Sequence, residues 1–95
     1  MTDVGKILDL MLADLRPGWE RRILNRADMA EAAGDAARWL TNHGVGNQVS
    51  VHVADLSSSV NMVMRVMLIG EGRNEASAEL IMPGDGGRAE WFGQA

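Results

Sequence analysis

Few side chains in this sequence belong to the types that perform acid–base or nucleophilic chemistry. A histidine beside a carboxylate exchanges protons near neutral pH, and it activates a serine hydroxyl when the three groups converge. No glycine-flanked turn of the kind that exposes a nucleophilic serine surrounds the serines present here. The candidates are His43, His52, Asp55 and the run Ser57-Ser58-Ser59.

Each candidate also has a structural interpretation, which we favour. His43 follows a predicted helix, where an imidazolium interacts with the negative end of the helix dipole. His52 lies on the polar side of a valine-rich strand, as surface and interface histidines do, and serines between strands commonly bond to the local backbone. We therefore expect a protein that is not an enzyme. One alternative is a small ligand-binding domain or enzyme that uses His52, Asp55 and a cavity under the serine loop.

Metal and nucleotide motifs are also missing. The chain has no cysteine, and neither histidine shows the close helical spacing of a zinc protease site. Gly70-Glu71-Gly72 begins like a dinucleotide-binding fingerprint but lacks its third glycine, and Gly84-Asp85-Gly86-Gly87 lacks the lysine of a phosphate-binding loop. We predict no cofactor and no metal.

An arginine cluster supports the main alternative to a protein-interaction role, a nucleic-acid-binding regulator. Residues 28–43 faintly resemble a helix-turn-helix, in which an alanine followed four residues later by a glycine lets two helices cross, as Ala30 and Gly34 would. Asp35 replaces the expected apolar residue, and the formal net charge of −4 does not favour a polyanion. The arginines could equally be the solvated face of a helix. The cluster is Arg16, Arg21, Arg22, Arg26 and Arg38.

Two helical segments are predicted before residue 44. Apolar residues between Val4 and Leu15 recur with the spacing of an amphipathic helix. Pro17-Gly18 should end this helix, because proline lacks an N–H and disfavours helical geometry in the preceding residue. Residues 19–43 are rich in helix formers, and the pattern leaves open whether they form one helix or a turn followed by a helix from Asp28.

Beyond Asn47 the apolar residues of 49–54 and 75–82 alternate with other residues, which is the period of a β-strand. The run 60–69 between them is apolar on both sides. Short connections between consecutive strands favour an antiparallel meander, because parallel neighbours need longer crossovers. The predicted fold is α+β, with two N-terminal helices packed on one face of a four-stranded antiparallel meander sheet. Residues 1–95 are expected to form a single domain, with a helical part over 3–43 and a β meander over 48–93. The predicted strands cover residues 49–54, 60–69, 75–82 and 88–92.

The two faces of this sheet are predicted to differ in what covers them. The side chains placed under the helices are Val49, Val51, Val53, Met62, Met64, Val66, Leu68, Ala78, Leu80 and Trp91. The opposite face is still too apolar for an ordinary surface, and such patches mark interaction sites. An opposing interpretation makes these residues core, because the sheet curls or because residues 19–43 cross the second face.

The leading hypothesis is therefore a small protein-interaction module that regulates or inhibits another protein, or forms a homodimer, through the second sheet face. Inhibitors from phages or other mobile elements, immunity proteins and secretion chaperones often have this size and acidity, which is an analogy of class alone. The predicted partner-binding residues are His52, Val63, Arg65, Met67, Ile69, Glu79, Ile81 and Phe92.

The composition predicts a folded cytoplasmic protein. Hydrophobic residues make up 46% and charged residues 23% of the chain, which is typical of globular proteins. The first residues lack the basic leader of a signal peptide, and no apolar run approaches the roughly 20 residues that cross a bilayer. We expect no membrane partner.

Overall fold

The computed structural model describes residues 3–22, 26–59, 61–83 and 90–92. Two helices precede a four-stranded sheet whose strand order follows the chain, and every neighbouring pair is antiparallel. The helices pack against the sheet, which confirms the predicted α+β fold. The elements are α1 (Val4–Arg22), α2 (Arg26–Asn42), β1 (Ser50–Asp55), β2 (Asn61–Ile69), β3 (Glu75–Pro83) and β4 (Glu90–Phe92).

Helix α1 continues through Pro17 to Arg22, so the predicted end at Pro17-Gly18 is wrong. The reason lies beyond the proline, where Trp19 is buried with 1% of its surface exposed. Interrupting a helix with proline costs about 3 kcal/mol, and burying a large aromatic side chain recovers a similar amount. An exposed ion pair between Arg16 and Glu20, at 2.8 Å, also spans the proline. Tertiary packing therefore overrides the local stop signal.

Helix α2 is separate from α1, with residues 23–25 outside the described part of the chain. Asp28 lies in its first turn instead of preceding it. The helix runs without interruption through Gly34 and Asp35, so the predicted helix-turn-helix arrangement over 28–43 is wrong. Alanine, the best helix former, dominates this stretch and outweighs one glycine.

The end of α2 is a Schellman cap, as its glycines indicate. Gly44 has a φ of +74°, a conformation that favours glycine. Its N–H donates to the Thr41 carbonyl at 3.1 Å, and the N–H of Val45 donates to the Leu40 carbonyl at 3.0 Å. The cap turns the chain toward β1.

The core lies between the helices and one face of the sheet. All ten side chains predicted under the helices either belong to this core or pack against it. The centre of the sheet contributes Met64, Val66, Leu68 and Leu80, each with 0% of its surface exposed. Because α1 and α2 lie on the same face, the opposing interpretation, in which residues 19–43 cross the second face, is wrong.

Candidate interaction surface

The open face is defined here as the side of the sheet that points away from α1 and α2. Strand pairing brings the predicted partner-binding residues together in rows across neighbouring strands. Arg65 pairs with Glu79, which pairs with Phe92; only the backbone position of Phe92 is described. The other rows are His52 with Met67 and Val63 with Ile81, and Ile69 lies opposite Ser50.

Exposure separates the open face from the centre of the covered face, which is fully buried. Val63, Met67, Ile69 and Ile81 are half-buried by their neighbours within the sheet, and His52 is exposed. In the described part of the chain neither helix packs over them. The open face therefore presents an apolar patch to solvent, and the same rows continue into polar residues at Ser50, Glu75, Ser77 and Glu90.

An ion pair lies in the middle of this surface. Both Nε and Nη2 of Arg65 donate to the same oxygen of Glu79, at 3.2 and 3.0 Å. The side chains keep 44% and 31% of their surface exposed, so water screens the pair and its contribution to folding is below about 1 kcal/mol. The pair leaves no net charge between the apolar groups around it.

Leu56 extends the open face beyond the predicted partner-binding residues. Its N–H donates to the Val63 carbonyl at 2.8 Å, which continues the pairing register one residue past β1. In this register Leu56 follows His52 and Ala54 on the same side of the strand. Leu56 is 42% exposed. The alternation of residues 50–54, continued two positions to residue 56, would have predicted Leu56 on this face.

His52 and Asp55 do not converge as a catalytic pair. They are three residues apart in one strand and therefore point to opposite faces of the sheet. The Nε2 atom of His52 lies 3.2 Å from the Ser50 hydroxyl, and an Asp55 carboxylate oxygen accepts the Ser57 N–H at 2.9 Å.

The serine loop has the structural role that was predicted for it. The hydroxyl of Ser57 accepts the Val63 N–H at 3.0 Å, and the hydroxyl of Ser58 accepts the Asn61 N–H at 3.1 Å. These bonds tie the loop to the start of β2.

An open depression of about 360 Å³ lies at the other end of β1, between residues 46–50 and 69–71.

His43 forms part of the α2 terminus. Its Nδ1 donates to the Trp39 carbonyl at 2.8 Å, and its ring stacks on the Trp39 indole with 3.8 Å between centroids. This geometry agrees with the predicted capping role.

The predicted arginine cluster is largely engaged in ion pairs. Arg22 donates to Asp35 at 3.0 Å, Arg38 donates to the other oxygen of Asp35, and Arg16 pairs with Glu20. The Arg16 guanidinium also lies 5.7 Å from the Trp91 ring centroid, within cation–π range. Arg21 is exposed, and the side chain of Arg26 is outside the description.

Asp35 is the polar centre between the helices. The Nε1 atom of Trp19 donates to Asp35 at 3.1 Å, and only 14% of the Asp35 side chain is exposed. Burial raises the pKa of Asp35. Hydrogen bonds from Trp19 and Arg22, together with the charges of Arg22 and Arg38, lower it by a larger amount. The pKa of Asp35 therefore lies below its ordinary value.

No three histidine, aspartate or glutamate side chains gather as a metal-binding group within residues 3–22, 26–59, 61–83 and 90–92. Neither described helix combines the length and apolar content that crossing a membrane requires. Comparison with models of protein families, with curated proteins and with solved structures found no match to this chain.

Proposed function

We propose that this chain is a protein-interaction module whose open face binds another protein and so regulates or inhibits it. The observation that carries the proposal is the contrast between the two sides of one sheet. Both helices cover one side, and the other presents Val63, Met67, Ile69 and Ile81 to solvent. Apolar patches of this kind on a folded chain mark binding surfaces.

The chemistry of the open face suits a protein partner. Methionine adapts its flexible side chain to irregular surfaces, and arginine is enriched at interface cores. Met67 and Arg65 occupy neighbouring rows in the middle of β2. A complementary partner would place apolar side chains over Met67 and Ile69 and polar groups over the pair formed by Arg65 and Glu79.

The side chains most suited to catalysis support a non-enzymatic role through what they bond to. His43 holds the end of α2, and Ser57 and Ser58 hold a loop. His52 and Asp55 lie on opposite faces of their strand. His52 lies 3.2 Å from the Ser50 hydroxyl, but Asp55, on the other face of the strand, cannot orient its ring as the third member of a triad would.

The test compares two double variants that introduce equal charge. Met67→Glu with Ile69→Glu places two carboxylates on the open face, and Leu10→Glu with Ala13→Glu places two on exposed positions of α1. The parent chain and the two variants are each immobilised and exposed to lysate of the native host. The proteins that bind are cross-linked and identified. The leading partner is then purified, and its affinity for all three proteins is measured by calorimetry.

We expect the open-face variant to lose at least about 100-fold in affinity, which corresponds to about 2.7 kcal/mol. The α1 variant should bind as the parent chain does. Equal binding by both variants, with circular dichroism showing both folded, would refute the proposal.

A further inference from the structure

The free edge of β1 has the features of a strand that pairs with another chain. β1 ends the strand order, so β2 is its only hydrogen-bonded neighbour among the described strands. All six residues pair with β2 in one continuous register. Edge strands are usually protected by proline, lysine or a bulge, and the segment Ser50–Asp55 has none of these.

The hydrogen bonding of β1 determines which backbone groups point outward. Leu56 donates to the Val63 carbonyl, and the direction of these groups alternates along an antiparallel strand. His52 and Ala54 therefore bond to β2, whereas the N–H and C=O groups of Val51 and Val53 point to the free edge. This edge can form a ladder with another strand.

Helix α2 leaves room beside the same edge. It packs on β1, whereas α1 packs on β2 and β3. Asp35 and Trp39 of α2 bond to α1, and Ala37 lies roughly 160° around the helix from both of them. The side of α2 that faces away from α1 carries mostly small residues, although Arg26 lies on that side in the first turn and the Arg38 guanidinium lies beside Gly34. The small residues are Ala30, Ala33, Gly34, Ala37 and Thr41.

Small residues at this position satisfy a geometric requirement. Helices pack at about 8 to 10 Å, which is about the width of two strands. If a second sheet continued this one across β1, the two copies of α2 would become neighbours at that distance. Large side chains would prevent the approach, whereas alanine and glycine permit it.

We infer that a second copy of this chain binds at the β1 edge, with the two β1 strands antiparallel about a two-fold axis. The strand is self-complementary in this arrangement, because Val51 of each copy can lie opposite Val53 of the other. Asp55, the only carboxylate of β1, then lies at opposite ends of the joint in the two copies. The joined sheets have eight strands and one continuous open face.

A second copy would double the area of the open face, and this step rests on the proposed function. The strands contain 6, 9, 9 and 3 residues. At about 3.3 Å per residue and about 4.8 Å between strands, one open face projects roughly 400 Å². A standard interface takes about 800 Å² from each partner, which is what two joined faces present. The dimer would thus complete the surface that the partner binds.

The test measures the self-association of four forms of the chain by sedimentation equilibrium over a concentration series. Ala37→Glu places a carboxylate between the two α2 helices, and Ala13→Glu makes the same change at an exposed position of α1. The fourth form is the open-face variant with Met67→Glu and Ile69→Glu. We expect the parent chain, the Ala13→Glu variant and the open-face variant to dimerise. Ala37→Glu should weaken the dimer by about tenfold or more.

Amide hydrogen exchange locates the joint independently of any variant. The amides of Val51 and Val53 should exchange fast in dilute protein and become protected as the dimer forms. The amides of His52 and Ala54 should be protected at both concentrations, because they bond to β2.

Three results would overturn the inference. They are a monomer at every concentration, a dimer in which the Val51 and Val53 amides stay unprotected, and a dimer that the open-face variant dissociates but Ala37→Glu does not. If the chain dimerises as inferred but the open-face variant still binds its partner, the proposed function alone is refuted.

Discussion

The indole N–H of Trp39 in α2 donates to the carboxylate of Asp14 in α1 at 2.7 Å. The bond has a counterpart in the opposite direction, because Trp19 of α1 donates to Asp35 of α2 at 3.1 Å. Each helix therefore supplies one donor and one acceptor to the other. Two such bonds in partly buried surroundings fix both the distance and the rotation of the helix pair.

Acid should weaken this helix pair through Asp35. Because the folded-state pKa of Asp35 is below the ordinary value of about 3.9, its contribution to stability is complete above that pH and is lost as pH falls through the folded-state pKa. Asp35→Asn should lower the free energy of unfolding at pH 7 by about 1 to 2 kcal/mol and flatten its decline below pH 4. Urea unfolding from pH 2 to 7 measures both effects. Asp9→Asn, at an exposed position of α1, is the control.

Trp19 should decide whether the last turn of α1 forms. Trp19→Ala removes a fully buried side chain and should cost about 3 to 5 kcal/mol. Helical structure should then end before Pro17, as the local sequence dictates. Adding Pro17→Ala should restore the turn, since alanine supplies the missing N–H. Amide exchange of residues 18–22 distinguishes the variants, and unchanged protection in Trp19→Ala would contradict this account.

A glycine between β2 and β3 fits closely against the start of α1. Gly70 has an extended backbone that any residue can adopt, but a Cβ there would lie 2.7 Å from Cγ2 of Val4. Gly70→Ala should cost about 1 to 3 kcal/mol through overpacking, and Val4→Ala in the same chain should recover part of that loss.

Gly72 provides the contrast to Gly70, because its φ is +70° and a Cβ would have no atom within 4 Å. Gly72→Ala should cost about 1 to 2 kcal/mol from backbone strain alone. Val4→Ala should not recover that loss. A thermodynamic cycle measured by urea unfolding gives both coupling energies.

The pair formed by Arg65 and Glu79 should contribute to binding far more than to folding. Replacing either residue with alanine should change the free energy of unfolding by less than about 1 kcal/mol, since both side chains are partly exposed. The same replacements should weaken partner binding by about tenfold or more, because the remaining charge would be left unpaired in the interface. Calorimetry with the purified partner, next to thermal unfolding of each variant, separates the two effects.

The sequence predicted the sheet more completely than the helices because strand alternation is a local signal. The period of two in residues 49–54 and 75–82, with the apolar run of residues 60–69 between them, identifies both the strands and the side chains beneath the helices. Asp35 shows what such patterns do not contain. It replaces the apolar residue that a helix-turn-helix would have there, and it accepts a hydrogen bond from Trp19, sixteen positions earlier in the chain. The passage of α1 through Pro17 depends on the same long-range contact.

The side chains at the centre of the open face were predictable from the alternating directions of side chains along a strand. The full extent of the open face was not. Val63, Met67 and Ile69 follow from alternation in β2, whereas Leu56 joins them through a pairing that continues past the end of β1. The ion pair between Arg65 and Glu79 depends on the register of β2 against β3, which single-strand patterns do not determine.

Each strand of the sheet pairs with the next one along the chain. Neighbouring hairpins can therefore form one after another, and each closes only a short loop with a small entropy cost. The docking of α1 onto β3 and β4 brings together the first helix and the last two strands, so it is the step that should limit the rate. Mixed α/β domains with this balance of contacts fold in times on the order of milliseconds, so a newly made chain would expose its apolar strands to aggregation only briefly.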